Sequence, residues 1–190
     1  MEQKVSFKIV GKTPLVMNNP ASYGRDSGDA KKKTIPTPED EAASKAYKQA
    51  DGSLYAKGDW FIGSLRKAAG GLKINKVSAK IVLAAGFDIP EERMPLVHPK
   101  TGKPIKDYEI YVCRAVVQRQ GILRARPRIA DWSCIVHATY DDEILSPKTI
   151  MQIFERAGSM IGVGDQRPGA PSTPGRFGKY GVELIEEKKK

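Results

Sequence analysis

WSCIVHATYDDEILSPKTIMQIF, residues 132–154, passes from a strand pattern to a helix pattern across one short acidic run. Through Tyr140 it is rich in β-branched and aromatic residues, which predicts a strand. The acidic run Asp141-Asp142-Glu143 breaks that pattern, and Ser146-Pro147 then opens a helix. Ser146 suits the N-cap, and Pro147 suits the first helical position, where its missing N–H is not needed. Ile150, Ile153, Phe154 and Ala157 recur at helical spacing and give that helix one apolar face.

Working outward, residues 109–117 (EIYVCRAVV) predict a second strand, and residues 122–126 (ILRAR) an extended segment. At the N-terminal end, residues 4–10 (KVSFKIV) alternate, with Val5, Phe7 and Ile9 on one face, as in a half-buried strand. Gly11 and Pro14 end or bend it, and Leu15, Val16 and Met17 are apolar enough to continue past the bend. Asp59 is a plausible N-cap for a helix carrying Phe61, Leu65, Ala68 and Ala69, stopped by Gly70-Gly71. A second apolar helix is predicted over 76–85, closed by Gly86. Downstream, residues 158–176 are rich in Gly and Pro, and the segment around 177–186 reads as a terminal strand with Phe177, Tyr180, Val182, Leu184 and Ile185. The order is strand, helices, strand, strand, helix, strand. That predicts an α+β, ferredoxin-like (RRM-like) βαββαβ unit, an antiparallel sheet with helices on one face and the other face free for a ligand.

The 190 residues suit a single domain, 1–190, with an insertion. Residues 18–50 form that insertion: a long basic loop, poor in large aliphatics, then a short polar helix opened by Thr37 and Pro38. A short strand over Ser53–Ala56 follows, and 187–190 is a charged tail.

Hydrophobic residues make up 40% of the chain, enough for a core, while the formal net charge is +10. A domain this basic points to an anionic partner: nucleic acid, an anionic membrane surface or an acidic protein. No stretch approaches the roughly 18 consecutive apolar residues of a membrane-crossing helix, and the opening residues lack the apolar core of a signal peptide, so a cytoplasmic chain with no membrane partner is expected. Cys113 and Cys134 lie far apart in apolar runs and read as two buried free thiols. No Cys/His cluster has zinc spacing, so neither a metal site nor a cofactor is expected.

Three basic segments stand out. Residues 114–128 hold Arg114, Arg119, Arg124, Arg126 and Arg128 and no acidic residue. Arg124, Arg126 and Arg128 alternate, so in an extended chain their side chains fall on one side about 6–7 Å apart. Such a row of guanidinium forks suits successive phosphates; the competing reading is a hairpin edge guarded by charge. The second segment joins Tyr23, for base stacking, to Arg25, Lys31, Lys32 and Lys33, against a merely solubilising loop. The third runs from Ile161 to Gly181, where Arg167, Arg176 and Lys179 stand among glycines. Glycine lets backbone approach a ligand or another backbone, and exposed amides beside cations suit phosphate. The alternative is an ordinary linker, and no GxxxxGK[ST] pattern is present. Trp60 and Phe177 are further stacking candidates.

Three stretches resemble the RAMP superfamily, the RRM-like proteins that form the backbone of CRISPR effector complexes. They are the opening strand running into Gly11-Lys12-Thr13-Pro14-Leu15, the segment from Tyr55-Ala56-Lys57-Gly58 through Ile62-Gly63-Ser64-Leu65-Arg66-Lys67-Ala68, and the glycine-rich loop from Gly162 to Gly181. The resemblance implies copies stacking side by side along one strand of RNA or single-stranded DNA, with other effector-complex subunits as further partners. The loop after the first strand and a β2–β3 hairpin would act as web and thumb.

Catalysis finds little support in the sequence. His137 sits at an alternating strand position and His98 between Val97 and Pro99, neither with a recognisable Ser or Cys partner. A metal-independent endoribonuclease using His98, or Asp26 or Asp29 in the loop after the first strand, is the alternative of the same fold. A phage accessory or structural assembly protein is the other. The expected function is non-catalytic binding of single-stranded nucleic acid along a basic groove.

Overall fold

The computed structural model describes residues 1–22, 36–117, 120–171 and 174–185. Four strands carry the core sheet: β1 (Glu2–Gly11), β6 (Phe87–Asp88), β10 (Ser133–Asp141) and β11 (Tyr180–Ile185). Their order is β11-β1-β10-β6, and every neighbouring pair is antiparallel. The alternation of β1 explains the layering. Val5, Phe7 and Ile9 stand opposite Ala138, Val136 and Cys134 on β10, and all six are buried. Against them pack α2 (Gly58–Ala68), through Phe61, Leu65 and Ala68, and α4 (Pro147–Met160), through Ile150, Ile153, Phe154 and Ala157. Phe7 meets Phe154 at 4.8 Å between ring centres, and Phe61 meets Tyr180 at 5.6 Å. On the other face of the sheet Ile135 and His137 are exposed, and the Ser6 hydroxyl hydrogen-bonds His137 Nδ1 at 2.9 Å. An α+β chain with an antiparallel sheet and helices on one face is what the sequence predicted, and it is consistent with a ferredoxin-like fold.

The long strand at 109–117 is corrected in its placement. It does not join the core sheet. As β8 (Glu109–Val117) it pairs along its whole length with β9 (Gln120–Ile129), and β9 pairs in turn with β2 (Leu15–Val16) to make a separate three-stranded sheet. The core-sheet position is taken by the two-residue β6, where Phe87 stands opposite Tyr140 and Asp88 opposite Thr139. Two adjacent strands joined by a short tip close a small loop and pair at low entropic cost. A two-residue strand has no period to read.

Smaller elements adjust to local chemistry. α1 (Pro38–Lys45) starts as expected, with the Thr37 hydroxyl accepting from Asp40 N–H at 3.2 Å. At α2 the cap is Lys57, with no side-chain cap bond, and Asp59 lies inside the first turn, its carboxylate 3.5 Å from Lys57 Nζ. α3 (Ala79–Gly86) begins after β4 (Lys73–Ile74) and β5 (Val77–Ser78), a tiny hairpin turned by Asn75 and Lys76 at positive φ. β3 (Tyr55–Lys57) pairs with β7 (Arg93–Pro95). Trp132 is fully buried, donates Nε1–H to Thr13 O at 3.0 Å, and lies 2.3 Å from where a Cβ on Gly11 would stand. The turn between β1 and β2 is thereby clamped to the start of β10. Among the described residues no helix is long and apolar enough to cross a membrane.

Both cysteines are free. Burial pushes the Cys134 thiol well up from its ordinary value. Cys113 is only half-buried, against the expectation for both, and its Sγ accepts from Gln166 Nε2 at 3.0 Å. The native protein should therefore release one equivalent of thionitrobenzoate from Ellman's reagent, through Cys113, and two after denaturation.

Candidate nucleic-acid interface

The arginine row was expected to be free of carboxylates, and that expectation is corrected. The hairpin does place Arg124, Arg126 and Arg128 on one face, but the fold brings acids from distant segments onto each. Arg124 Nη1 lies 3.2 Å from Glu41 of α1, whose other carboxylate oxygen accepts from Ala125 N–H at 2.9 Å. Arg126 is 7% exposed; its Nε meets Asp165 at 3.1 Å and its Nη1 lies 4.0 Å from Glu41. Arg128 pairs with Glu109, its register partner across the hairpin. The row dresses one face of the hairpin for contact with α1 and the glycine-rich loop. Arg114 is exposed on the opposite face, beside Leu123.

Most of the described amides of the glycine-rich loop are turned inward. Val163 N–H donates to Gly178 O at 2.9 Å, Gly178 N–H to Pro14 O at 2.8 Å, Asp165 N–H to Val16 O at 2.8 Å, and Gly175 N–H to Arg167 O at 3.0 Å. Lys179 N–H reaches the Thr13 hydroxyl at 2.9 Å. Its glycines admit other backbone: a Cβ at Gly175 would stand 1.9 Å from Gln166 O, and one at Gly178 1.8 Å from Val163 O. The described residues of the loop thus form a plate laid over the β1–β2 turn, and its cations stand on hydrogen-bonded backbone.

Those cations have company that the sequence reading missed. Lys67, at the end of α2, donates to Gly169 O at 2.6 Å, and Arg167 donates to Gly164 O at 2.6 Å. Together with Asp59, Trp60 and Ser64 they line a cleft of about 150 Å³ between α2 and the loop. One residue on from Lys67, the Ala68 carbonyl accepts from Arg156 Nε of α4 at 3.0 Å. Arg156 and Lys12 line a broad groove along β11 together with Glu155 and Glu183. Lys12 N–H in turn bonds Lys179 O at 2.8 Å. Arg176 lies over the Phe177 ring at 5.7 Å, and Phe177 packs edge-on against Tyr111. Among the described residues none of Lys12, Lys67, Arg156, Arg167, Arg176 and Lys179 pairs with a carboxylate; Glu183 is taken by Lys8 and Asp165 by Arg126. Six cations without a carboxylate partner among the described residues thus stand around the glycine-rich plate and the C-terminal end of α2. In sequence, Lys67 is an unremarkable basic residue in a helix's last turn, and Arg156 the polar side of an amphipathic helix. Only the packing of α2 on α4 brings them to the plate.

Tyr23, Arg25, Asp26, Asp29, Lys31, Lys32, Lys33 and Arg119 lie outside the described residues. Trp60 lines the small cleft, whereas Phe177 is buried, so of the two only Trp60 is placed for stacking. His98 accepts from Lys100 N–H within its own turn, and His137 sits on the open sheet face with Ser6. The acidic run at 141–143 faces solvent and takes the Met1 amine, 3.1 Å from Asp141 and 2.6 Å from Asp142. Among the described residues no group of three His, Cys, Asp or Glu side chains is arranged to hold a metal ion.

The protein is a basic α+β chain with an antiparallel core sheet. The chain matches no family model and no curated protein. Among solved structures it is similar to the crystal structure of Cmr6 from Pyrococcus furiosus, at 11% identity and a TM-score of 0.47, over 95% of this chain and 98% of that one.

Proposed function

We propose that this protein is a non-catalytic binder of single-stranded RNA or DNA, a RAMP-like subunit that holds the strand against its glycine-rich plate. In this reading β1, α2, β6, β10, α4 and β11 are the βαββαβ unit, a reading supported by the sheet order β11-β1-β10-β6. The observation that carries the function is the group of cations around the glycine-rich loop. Arg124, Arg126 and Arg128 of the hairpin are ion-paired, while Lys12, Lys67, Arg156, Arg167, Arg176 and Lys179 stand around one loop without a carboxylate partner among the described residues. Backbone-held cations without carboxylate partners attract phosphates and release condensed counterions on binding, without regard to sequence.

The test is a titration of a labelled oligonucleotide at several salt concentrations. Affinity should fall steeply with salt, and Lys67→Ala with Arg167→Ala should flatten the log–log slope by about 0.7 for each phosphate no longer neutralised. A wild-type affinity that ignores salt, or a double variant that binds as wild type does, overturns the proposal. Side-by-side assembly belongs to the same reading. The hairpin face opposite the arginines exposes Ile110, Val112 and Leu123, the last at 73%. An exposed apolar patch on a projecting hairpin favours contact with another protein surface. Leu123→Glu should lower the sedimentation coefficient of the nucleic-acid-bound protein, and an unchanged value would remove the assembly part.

A further inference from the structure

On the far side of the N-terminal turn of α2 lies a second cleft, of about 500 Å³, lined by Asn19, Pro20, Ala21, Tyr47, Tyr55, Lys57, Glu92 and Arg93. Its walls are built. Asn19 N–H donates to Lys45 O at 3.0 Å, and the Asn19 side-chain oxygen accepts from Ala21 N–H at 3.0 Å, which sets the single 3₁₀ turn Pro20–Ser22 as one rim. The opposite rim is the β3–β7 pair, where Lys57 stands opposite Arg93, and Gly58 N–H anchors the Glu92 carbonyl at 3.1 Å. The floor is aromatic: Tyr47 is buried and meets Tyr55 edge-on at 5.7 Å and Trp60 edge-on at 5.1 Å. The Arg93 guanidinium lies over the half-exposed Tyr55 ring at 5.4 Å. Glu92 has no ion-pair partner among the described residues, while Lys57 is held by Asp59.

We infer that this cleft receives one unpaired nucleobase of the bound strand, and that it prefers guanine; the inference rests on the function proposed above. Aromatic rings and a guanidinium plane are the surfaces on which unpaired bases stack. The cleft is larger than a single base and lies within the ordinary size range of small-ligand sites. Glu92 supplies the discrimination. An ionised carboxylate only accepts hydrogen bonds. Guanine offers two N–H groups side by side on its pairing edge, whereas uracil offers one and adenine an acceptor beside its amino group. Arg93, which has no carboxylate partner among the described residues, flanks the opening and suits a phosphate beside the inserted base. The two clefts are also joined: Trp60 lines the first and packs on Tyr47, the floor of the second. A strand whose phosphates rest on Lys67 and Arg167 can turn a base around the start of α2 into the Tyr47–Tyr55 cleft.

The deciding measurement is anisotropy at one salt concentration, using two labelled 12-nucleotide RNAs, all-uridine and all-uridine with one central guanosine. Wild type should bind the guanosine strand roughly fivefold tighter or more, the scale of one added charge-assisted contact. Glu92→Gln, a same-size change at an exposed position, should bring the ratio of the two affinities to about one. Tyr55→Leu should weaken both strands about tenfold by removing the stacking platform, with an unchanged thermal midpoint as the check on folding. Equal wild-type affinity for the two strands, or a preference that survives Glu92→Gln, overturns the pocket while leaving phosphate binding at Lys67 and Arg167 intact. No binding of either strand overturns the proposed function, and the pocket with it.

Discussion

Gly178→Ala should destabilise the protein by about 4 kcal/mol, an exceptional value for a single methyl group. Gly178 has φ +67°, a left-handed conformation that side chains resist. That alone would cost about 1 kcal/mol. The larger part is steric. The new Cβ would stand 1.8 Å from the Val163 carbonyl oxygen and 2.9 Å from its carbon, both backbone atoms that no rotamer change can move aside. Val163 and Gly178 are also tied to each other and to Pro14 by hydrogen bonds of 2.9 and 2.8 Å, so displacing one strains the others. Gly102 is the control. It has the same φ, +67°, with nothing within 4 Å of its would-be Cβ, so Gly102→Ala should cost only the conformational term. Urea unfolding monitored by tryptophan fluorescence compares them directly. Equal midpoints for the two variants would show that the plate is not held against the β1–β2 turn as described.

That contrast also marks what the sequence could and could not show. The glycine richness of 161–181 is visible in any reading, and it left open whether the close approach was to a ligand or to other backbone. Only the fold decides, because the partners of those amides, Pro14 and Val16, lie about 150 residues earlier in the chain. Locally encoded features were legible: the Ser146 cap accepting from Thr149 N–H, the Thr37 cap, and the alternation of β1. Features encoded by tertiary pairing were not. β6 is too short to have a period, and Glu41 and Asp165 meet Arg126 across 85 and 39 residues of sequence. The arginine row looked uncompensated because its own segment holds no acid, yet charge is neutralised in space. Lys67 and Arg156, two of the cations without a carboxylate partner, were inconspicuous for the same reason: tertiary packing, not a basic run, brings them to the plate.

The hairpin arginines therefore yield the second large effect, and it falls on stability. Arg126→Ala should cost about 3–5 kcal/mol, because removing one member of a buried ion pair leaves its partner uncompensated. Arg126 is 7% exposed and serves Asp165 at 3.1 Å, with Glu41 at 4.0 Å. Its removal leaves Asp165 without its ion-pair partner at the joint between the hairpin and the plate, while Glu41 keeps Arg124. Arg128 offers the contrast, since its partner Glu109 is largely solvent-exposed. A pair of that kind contributes about 1 kcal/mol at most, so Arg128→Ala should unfold close to wild type. Arg128→Ala and Arg124→Ala should also bind a labelled single strand with wild-type affinity and salt slope, because their charge is already spent on Glu109 and Glu41. Had the row been the phosphate track, the pattern would invert: small stability losses along the row, with affinity falling and the salt slope flattening at each arginine. Measuring unfolding free energy and salt slope on the same three variants separates a charge that joins protein to protein from one that joins protein to phosphate.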